Sequence, residues 1–258
     1  MQNIFDYKLG TPVGKRANIG LITLQTDETI ESDMRQFFPE KDIGFYVSRV
    51  ACDPETTKDT LAMMELELPK SAKLLPPPLD FNVVGYGCTS GAAVIGAKKV
   101  NELITSGCNA RLVTDPVTAL IAACKSLKIS QLAFLSPYIA DVSLTLRNAL
   151  KKNGVNVPIF GSFNESTETN VAKISGKSII EASKALCSQG SVEALFLSCT
   201  NLQTIDIIEE IENSCHVPVM SSNQVLAWHM RSLSKLPIDE VGVGRLMKYI
   251  LNATLVHN

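Results

Sequence analysis

The pattern that most constrains this chain is a repeat. Four strand–helix units run in order through the first half, and the same four run again through the second. In the first half, short apolar runs at 18–24, 43–50, 83–87 and 111–114 read as strands. Helices are expected over about 28–38, 57–75, from Ala92 through Ala97, and from Pro116 to about Leu127. In the second half the strands fall at 131–135, 157–161, 194–198 and 217–220. Their helices are expected up to Lys152, after Asn170, from Leu202 to Ile211 and through Arg231. Pro76-Pro77-Pro78 is expected to stop one helix, and Asp115-Pro116 to cap and start another. The register of the repeat is testable: Cys199 and Cys88, Tyr138 and Asp27, and Thr167 and Thr56 are each 111 positions apart.

Strands that alternate with helices imply an α/β protein with parallel sheets. The expected fold is two similar flavodoxin-like halves, each with a mainly parallel four-stranded sheet, related by a pseudo-twofold axis around a shared cleft. The domain division follows: 1–115 plus 224–258 form the first half, and 116–223 the second. Residues 1–16 are polar and read as an arm, while Arg245 to Leu255 reads as a helix that returns to the first half.

Open parallel sheets bind ligands beyond the carboxyl ends of their strands. Two of those ends carry the same chemistry. Val83-Val84-Gly85-Tyr86-Gly87 runs into Cys88-Thr89-Ser90-Gly91, and Ala194-Leu195-Phe196-Leu197-Ser198 runs into Cys199-Thr200-Asn201. A cysteine at a strand–helix junction sits near free N–H groups and the positive end of the helix dipole, which favour the thiolate. Across one cleft, two such thiols form an acid/base pair, or one adds to an activated double bond while the other handles a proton. Thr89, Ser90, Thr200 and Asn201 supply donors for a carboxylate without an arginine. The competing reading is two ordinary buried cysteines; the repeated context is what sets them apart. Cys52, Cys108, Cys124, Cys187 and Cys215 lack that context and are expected to pack. Asp27 reads equally as a helix cap, Tyr138 as a packing residue and Asn170 as a helix-start residue. Trp228 and His229 belong to a helix and read as core or surface.

Composition narrows the class. Of the 258 residues 45 % are hydrophobic and 19 % charged, with a net charge of −2, which suits a folded globular chain. No basic patch interleaved with aromatics appears, so nucleic acid is not an expected partner. No apolar run is long enough for a bilayer, and the first residues do not resemble a signal peptide, so no membrane partner is expected. Seven cysteines at irregular spacing, with no C-x-x-C pair and only three histidines, imply free thiols in a reducing cytoplasm. No metal and no cofactor are expected. Gly85, Gly87 and Gly91 do not have dinucleotide-fingerprint spacing.

The residues that carry this chemistry also carry a resemblance. Ile19-Gly20-Leu21-Ile22, Gly85 to Gly91, Pro137-Tyr138, Leu197 to Leu202 and Ser221 to His229 resemble the aspartate/glutamate racemase superfamily, and within it the maleate cis–trans isomerase and arylmalonate decarboxylase branch. The look is nearest to the ectoine-utilisation (EutA) proteins. The resemblance implies Cys88 and Cys199 as the catalytic pair, with Tyr138 and Asn170 binding substrate. It also implies a cofactor-independent isomerase of a small carboxylate, most similar to maleate isomerase, and a homo-oligomer. Arylmalonate decarboxylases lack the first cysteine, so Cys88 counts against decarboxylation. In the first turn, maleate isomerases have asparagine where this chain has Asp27. An ionised aspartate there repels a dicarboxylate and favours an amine-bearing substrate, which keeps amino-acid racemisation open. A small-acid-binding protein without turnover is the third reading.

Overall fold

A computed structural model describes residues 2–53 and 57–249. Two four-stranded sheets carry the fold. The first contains β1 (Ala17–Leu24), β2 (Ile43–Val50), β3 (Val83–Gly87) and β4 (Val113–Thr114), in the spatial order β2-β1-β3-β4. The second contains β5 (Gln131–Ser136), β6 (Asn156–Ser162), β7 (Ala194–Leu197) and β8 (Val219–Ser221), ordered β6-β5-β7-β8. Strand order is the same in both, so the repeat in sequence is a repeat in topology. Every pairing is parallel. Inner strands of parallel sheets are covered on both faces, which is why β1 and β5 are nearly continuous apolar runs. Ile19, Leu21 and Ile22 in the one, and Leu132, Ala133 and Phe134 in the other, are fully buried.

The helices of the first sheet are α1 (Ile30–Phe37), α2 (Lys58–Ala72), α3 (Thr89–Ile95) and α4 (Ala97–Thr105). Then come α5 (Pro116–Leu127), α6 (Ala140–Lys152), α7 (Glu168–Val171), α8 (Gly176–Cys187), α9 (Ile208–Cys215) and α10 (Ser222–Leu233). The Asp115 cap forms as expected, its Oδ1 accepting the N–H groups of Val117 at 2.8 Å and Thr118 at 3.0 Å. Four expectations need correction. The helix after Cys88 begins at Thr89 and breaks at Gly96, where φ of 87° suits glycine, so α3 and α4 are separate. Helix α2 ends at Ala72, ahead of the three prolines, and accommodates Pro69 in its last turn. No helix starts at Leu202: residues 198–204 are irregular, a 3-10 turn spans Ile205–Ile207, and α9 starts at Ile208. Of the helix expected from Arg245, the described part is one 3-10 turn at Leu246–Lys248, and 250–255 lie outside the described residues. Residues 54–56, where the second helix was expected to open, and Thr56 of the repeat register also lie outside them.

The sheets are joined through α10. It leaves β8 of the second sheet and packs on β3 and α5. Gly85 in β3 leaves room for it: a Cβ there would stand 2.6 Å from Met230 Sδ. Arg231, fully buried, donates to Phe37 O and Pro237 O, both at 2.6 Å, and to both oxygens of Glu40 at 3.2 and 2.6 Å. The following chain returns along α10, with Trp228 Nε1 donating to Tyr249 O at 2.7 Å. No described helix is long and apolar enough to cross a membrane.

Candidate active site

Both cysteine turns converge on Ser222, the first residue of α10. Its Oγ accepts Thr89 Oγ1 at 2.8 Å and the Cys199 N–H at 3.0 Å. Cys88 is the N-cap of α3, with Sγ accepting the Gly91 N–H at 3.2 Å. A side chain at 91 would force a neighbour to shift, because a Cβ would stand 2.6 Å from Tyr86 Oη and 3.0 Å from Cys88 Sγ. Cys199 is held otherwise. It has no helix behind it, and its φ is 143°, a left-handed value that favours glycine. Its Sγ accepts the Asn201 N–H at 3.3 Å and lies 3.0 Å from Tyr138 Oη. Tyr138 is itself fixed by its N–H on Ser136 Oγ at 3.1 Å and by Ser162 Oγ donating to its carbonyl at 2.5 Å.

Cys88 and Cys199 line one cavity. Thr89, Ser90, Tyr138, Glu168, Thr200, Leu24 and Leu61 complete its lining. The enclosed space admits only about one water. A four-carbon acid therefore enters only if side chains move.

Two expected residues stand behind the walls. Asp27 is buried and braces the turn ahead of α1, whose N-cap is Thr29: Oδ1 accepts the Thr29 N–H at 2.9 Å and the Ile30 N–H at 2.8 Å. Its Oδ2 is buried without a hydrogen bond, since the Thr200 hydroxyl beside it donates to Gly87 O at 3.3 Å. Asn201 is spent internally, its Oδ1 accepting the Glu28 N–H at 2.8 Å and its Nδ2 donating to Glu168 Oε2 at 2.9 Å. Asn170 is a correction. It is exposed and donates to Glu165 Oε2 at 3.1 Å. Glu168 takes the inward place, because two residues along a helix turn a side chain about 200° to the other face. Sequence reasoning missed Glu168, although it stands in the same Glu165-Ser166-Thr167-Glu168-Thr169-Asn170 run. It also missed Ser222 as the tie between the two cysteine turns.

The electrostatics reverse another expectation. Burial pushes the Cys88 thiol up to about 12, against the Gly91 N–H that favours the thiolate. Burial, then the nearby Glu168 carboxylate, raises Cys199 well above the ordinary thiol range. In the closed cavity, loss of water outweighs the help from backbone N–H groups. Asp27 is pushed up to about 6, again chiefly by burial. Among the described residues no lysine, arginine or histidine lines the cavity. His229 packs away from it, with Nδ1 2.7 Å from Thr114 Oγ1 and burial lowering it to about 4. All seven cysteines are free, and the described residues contain no His/Cys/Asp/Glu cluster suited to a metal ion. Two thiols facing one small space, with hydroxyl and backbone donors alongside, can move a proton or add to a polarised double bond.

Residues 101–247, more than half of the chain, match the arylmalonate decarboxylase family. The chain belongs to that family. The maleate isomerase of Nocardia farcinica (strain IFM 10152) is 23% identical over 244 residues, which cover 89% of this chain and 95% of that one. Among solved structures, the maleate isomerase Iso of Pseudomonas putida S16, a cysteine-to-alanine variant with maleate, matches with a TM-score of 0.80 and 19% identity, covering 91% of this chain and 99% of that one. Arylmalonate decarboxylase matches at 0.67 and 22%, covering 90% and 99%. A cysteine-to-serine variant of the Nocardia farcinica enzyme, solved with a covalently bound succinylcysteine intermediate, matches at 0.75 and 22%, covering 90% and 98%. The two-sheet fold is theirs. The family member described here is thus an enzyme-like chain of the aspartate/glutamate racemase superfamily, in the maleate isomerase and arylmalonate decarboxylase branch.

Proposed function

We propose that this protein is a cofactor-independent isomerase of a small carboxylate, with Cys88 and Cys199 as its reacting groups and cis–trans isomerisation of a maleate-like acid as its reaction. One observation carries the reading: both cysteines line the same cavity, at the ends of equivalent strands. In this scheme the Cys88 thiolate adds to one alkene carbon, and Cys199 gives its proton to the other. The carbon–carbon bond, now single, rotates. Cys199 then takes the proton back and the Cys88–carbon bond breaks, restoring the double bond and the thiolate. Ser90 and the backbone N–H groups of the Cys88 turn hold the carboxylate and the enediolate formed on the way. The succinylcysteine trapped in the Nocardia farcinica relative supports an adduct route. Cys88 itself speaks against decarboxylation, because the decarboxylases lack the first cysteine.

A second reading is racemisation or epimerisation of an amine-bearing acid, with the thiols as acid and base. The buried Asp27 and Glu168 carboxylates favour it, since a cationic nitrogen would offset them. Nearest to the ectoine-utilisation proteins within the branch, cytoplasmic and homo-oligomeric are further parts of the proposal.

The test is direct. Maleate incubated with the protein yields fumarate under the first reading only. Enantiopure amino acids in deuterated water exchange their α-hydrogen under the second only. If neither reacts and a small acid raises the melting temperature, the chain binds without turnover. Cys88→Ser and Cys199→Ser each lose turnover while melting within a few degrees of the parent. Retention of more than about a tenth of turnover by either variant contradicts the paired-thiol scheme, because general acid–base groups contribute about 10²–10⁴ in rate.

A further inference from the structure

The phenol of Tyr138 has one proton and two neighbours. It donates to Glu168 Oε1 at 2.6 Å and lies 3.0 Å from Cys199 Sγ. With its only O–H spent on the carboxylate, the contact to sulfur runs the other way, from the thiol S–H to the phenol oxygen. Glu168 Oε2 accepts Asn201 Nδ2 at 2.9 Å, so both carboxyl oxygens act as acceptors, as in an ionised carboxylate. Asn201 cannot turn away, because its Oδ1 holds the Glu28 N–H and its carbonyl accepts Thr29 Oγ1 at 3.0 Å. The two sulfurs therefore have unlike surroundings. Each receives one backbone N–H, Cys88 from Gly91 and Cys199 from Asn201, but only Cys199 also meets the phenol. Cys199 gives its proton into a chain that ends on a buried negative charge.

We propose that Glu168 is a positioning residue that decides which thiol carries the proton: acting through Tyr138, it keeps Cys199 in the S–H form and leaves Cys88 as the sulfur that attacks. Ionising Cys199 would place a second negative charge close to the Glu168 carboxylate. Asp27, across the cavity wall, adds to the same penalty. Around Cys88 the titratable groups are Tyr86, Cys52, Glu168 and Asp27, but the phenol bridge from Glu168 runs to Cys199. Neutralising Glu168 acts twice on Cys199. It removes the repelling charge, and it frees the Tyr138 proton to turn toward the sulfur and stabilise a thiolate.

The assignment of roles rests on the two-thiol reading, but its test needs no substrate, so each can fail alone. The full chain is labelled with cysteine carrying ¹³C at Cβ and titrated by NMR up to about pH 10.5, a range set by the expected thiol shifts. Cys88→Ser and Cys199→Ser assign the signals. In the parent, Cys199 is expected to remain a thiol across most of that range. In Glu168→Gln the Cys199 midpoint falls into that range, while Cys88 stays a thiol through it, as in the parent. Glu168→Asp, which keeps the charge, restores the parent behaviour. If the glutamine variant does not fold, Glu168→Ala takes its place, since it removes the charge without setting an amide against Asn201. A Cys199 midpoint that is unmoved or raised, or that stays beyond the titration range without the charge, overturns the proposal. So does a larger shift at Cys88 than at Cys199.

Discussion

At Cys199 a side chain is carried by backbone that glycine would occupy more comfortably, at a φ of 143°. Such conformations cost on the order of 1–3 kcal/mol and persist only where the surroundings enforce them. Here the N–H on Ser222 and the turn tied through Asn201 do so. Cys199→Gly is therefore expected to be more stable than Cys199→Ala by about 1 kcal/mol, measured by denaturant unfolding. Equal stabilities would mean that the position is not strained. Asp33 gives a second residue-scale test. Burial pushes its carboxyl from 3.8 up to about 7, against a hydrogen bond from Asn223 Nδ2 at 2.8 Å and with repulsion from Asp27 and Asp206. The folded chain thus holds this proton more tightly than the unfolded chain does. Its contribution to stability is full below about pH 4 and is lost as the pH rises through about 7. Asp33→Asn is expected to leave the melting temperature unchanged at pH 4 and to raise it by a few degrees at pH 8. The opposite trend with pH would overturn this assignment.

At the scale of elements, strands were more legible than helix boundaries. An inner parallel strand is an apolar run bounded by turn residues, and β1 and β5 show that pattern plainly. The segment after Cys199 misleads for a physical reason. Leu202 to Ile211 has helical periodicity, but Asn201 must reach Glu168 and Glu28, and Gln203 Nε2 reaches Ala172 O at 2.7 Å. Those contacts override propensity until Ile208. Asn170 misleads in another way, because with only four residues in α7 one apolar stripe does not reveal which face turns inward. Packing between elements gives a sharper prediction. Gly107, just past α4, lies against the end of α2, where a Cβ would stand 2.6 Å from both Pro69 O and Ala72 Cβ. Backbone cannot swing aside as a side chain can. Gly107→Ala is expected to destabilise by about 1–3 kcal/mol, seen as a lower denaturant midpoint with an unchanged slope.

For the whole molecule, the two sheets are bound by polar groups as well as by core. Asn223 Nδ2 donates to Thr200 O at 2.7 Å and to Asp33, Asn201 bonds both Glu28 and Glu168, and Ser222 joins the two cysteine turns. Arg231 does the same at the far end of α10, linking it to the end of α1 and to the returning chain. The pair it forms with Glu40 is fully buried on the arginine side and 19 % exposed on the other. Removing the arginine leaves the Phe37 and Pro237 carbonyls without this donor and Glu40 with only its longer pair to Arg16, at 3.4 Å. Arg231→Met is expected to cost about 3 kcal/mol or more, and Glu40→Gln in the same chain to recover part of it. A loss below about 1 kcal/mol would show that α10 is held by its apolar face alone.

The sequence by itself determined the repeat, the α/β class, the two sheets and the two cysteines at equivalent strand ends. Each of these follows from local periodicity and from turn residues that lie next to one another in the chain. Only the tertiary structure decided which polar groups face those sulfurs. Glu168 reaches Cys199 through Tyr138, thirty residues away in the chain, and Ser222 ties in Thr89 from 133 residues away. The same packing strips water from both thiols and raises them, where a helix end taken alone would lower them. Desolvation belongs to the assembled cavity, and no stretch of residues carries it until the two sheets have come together.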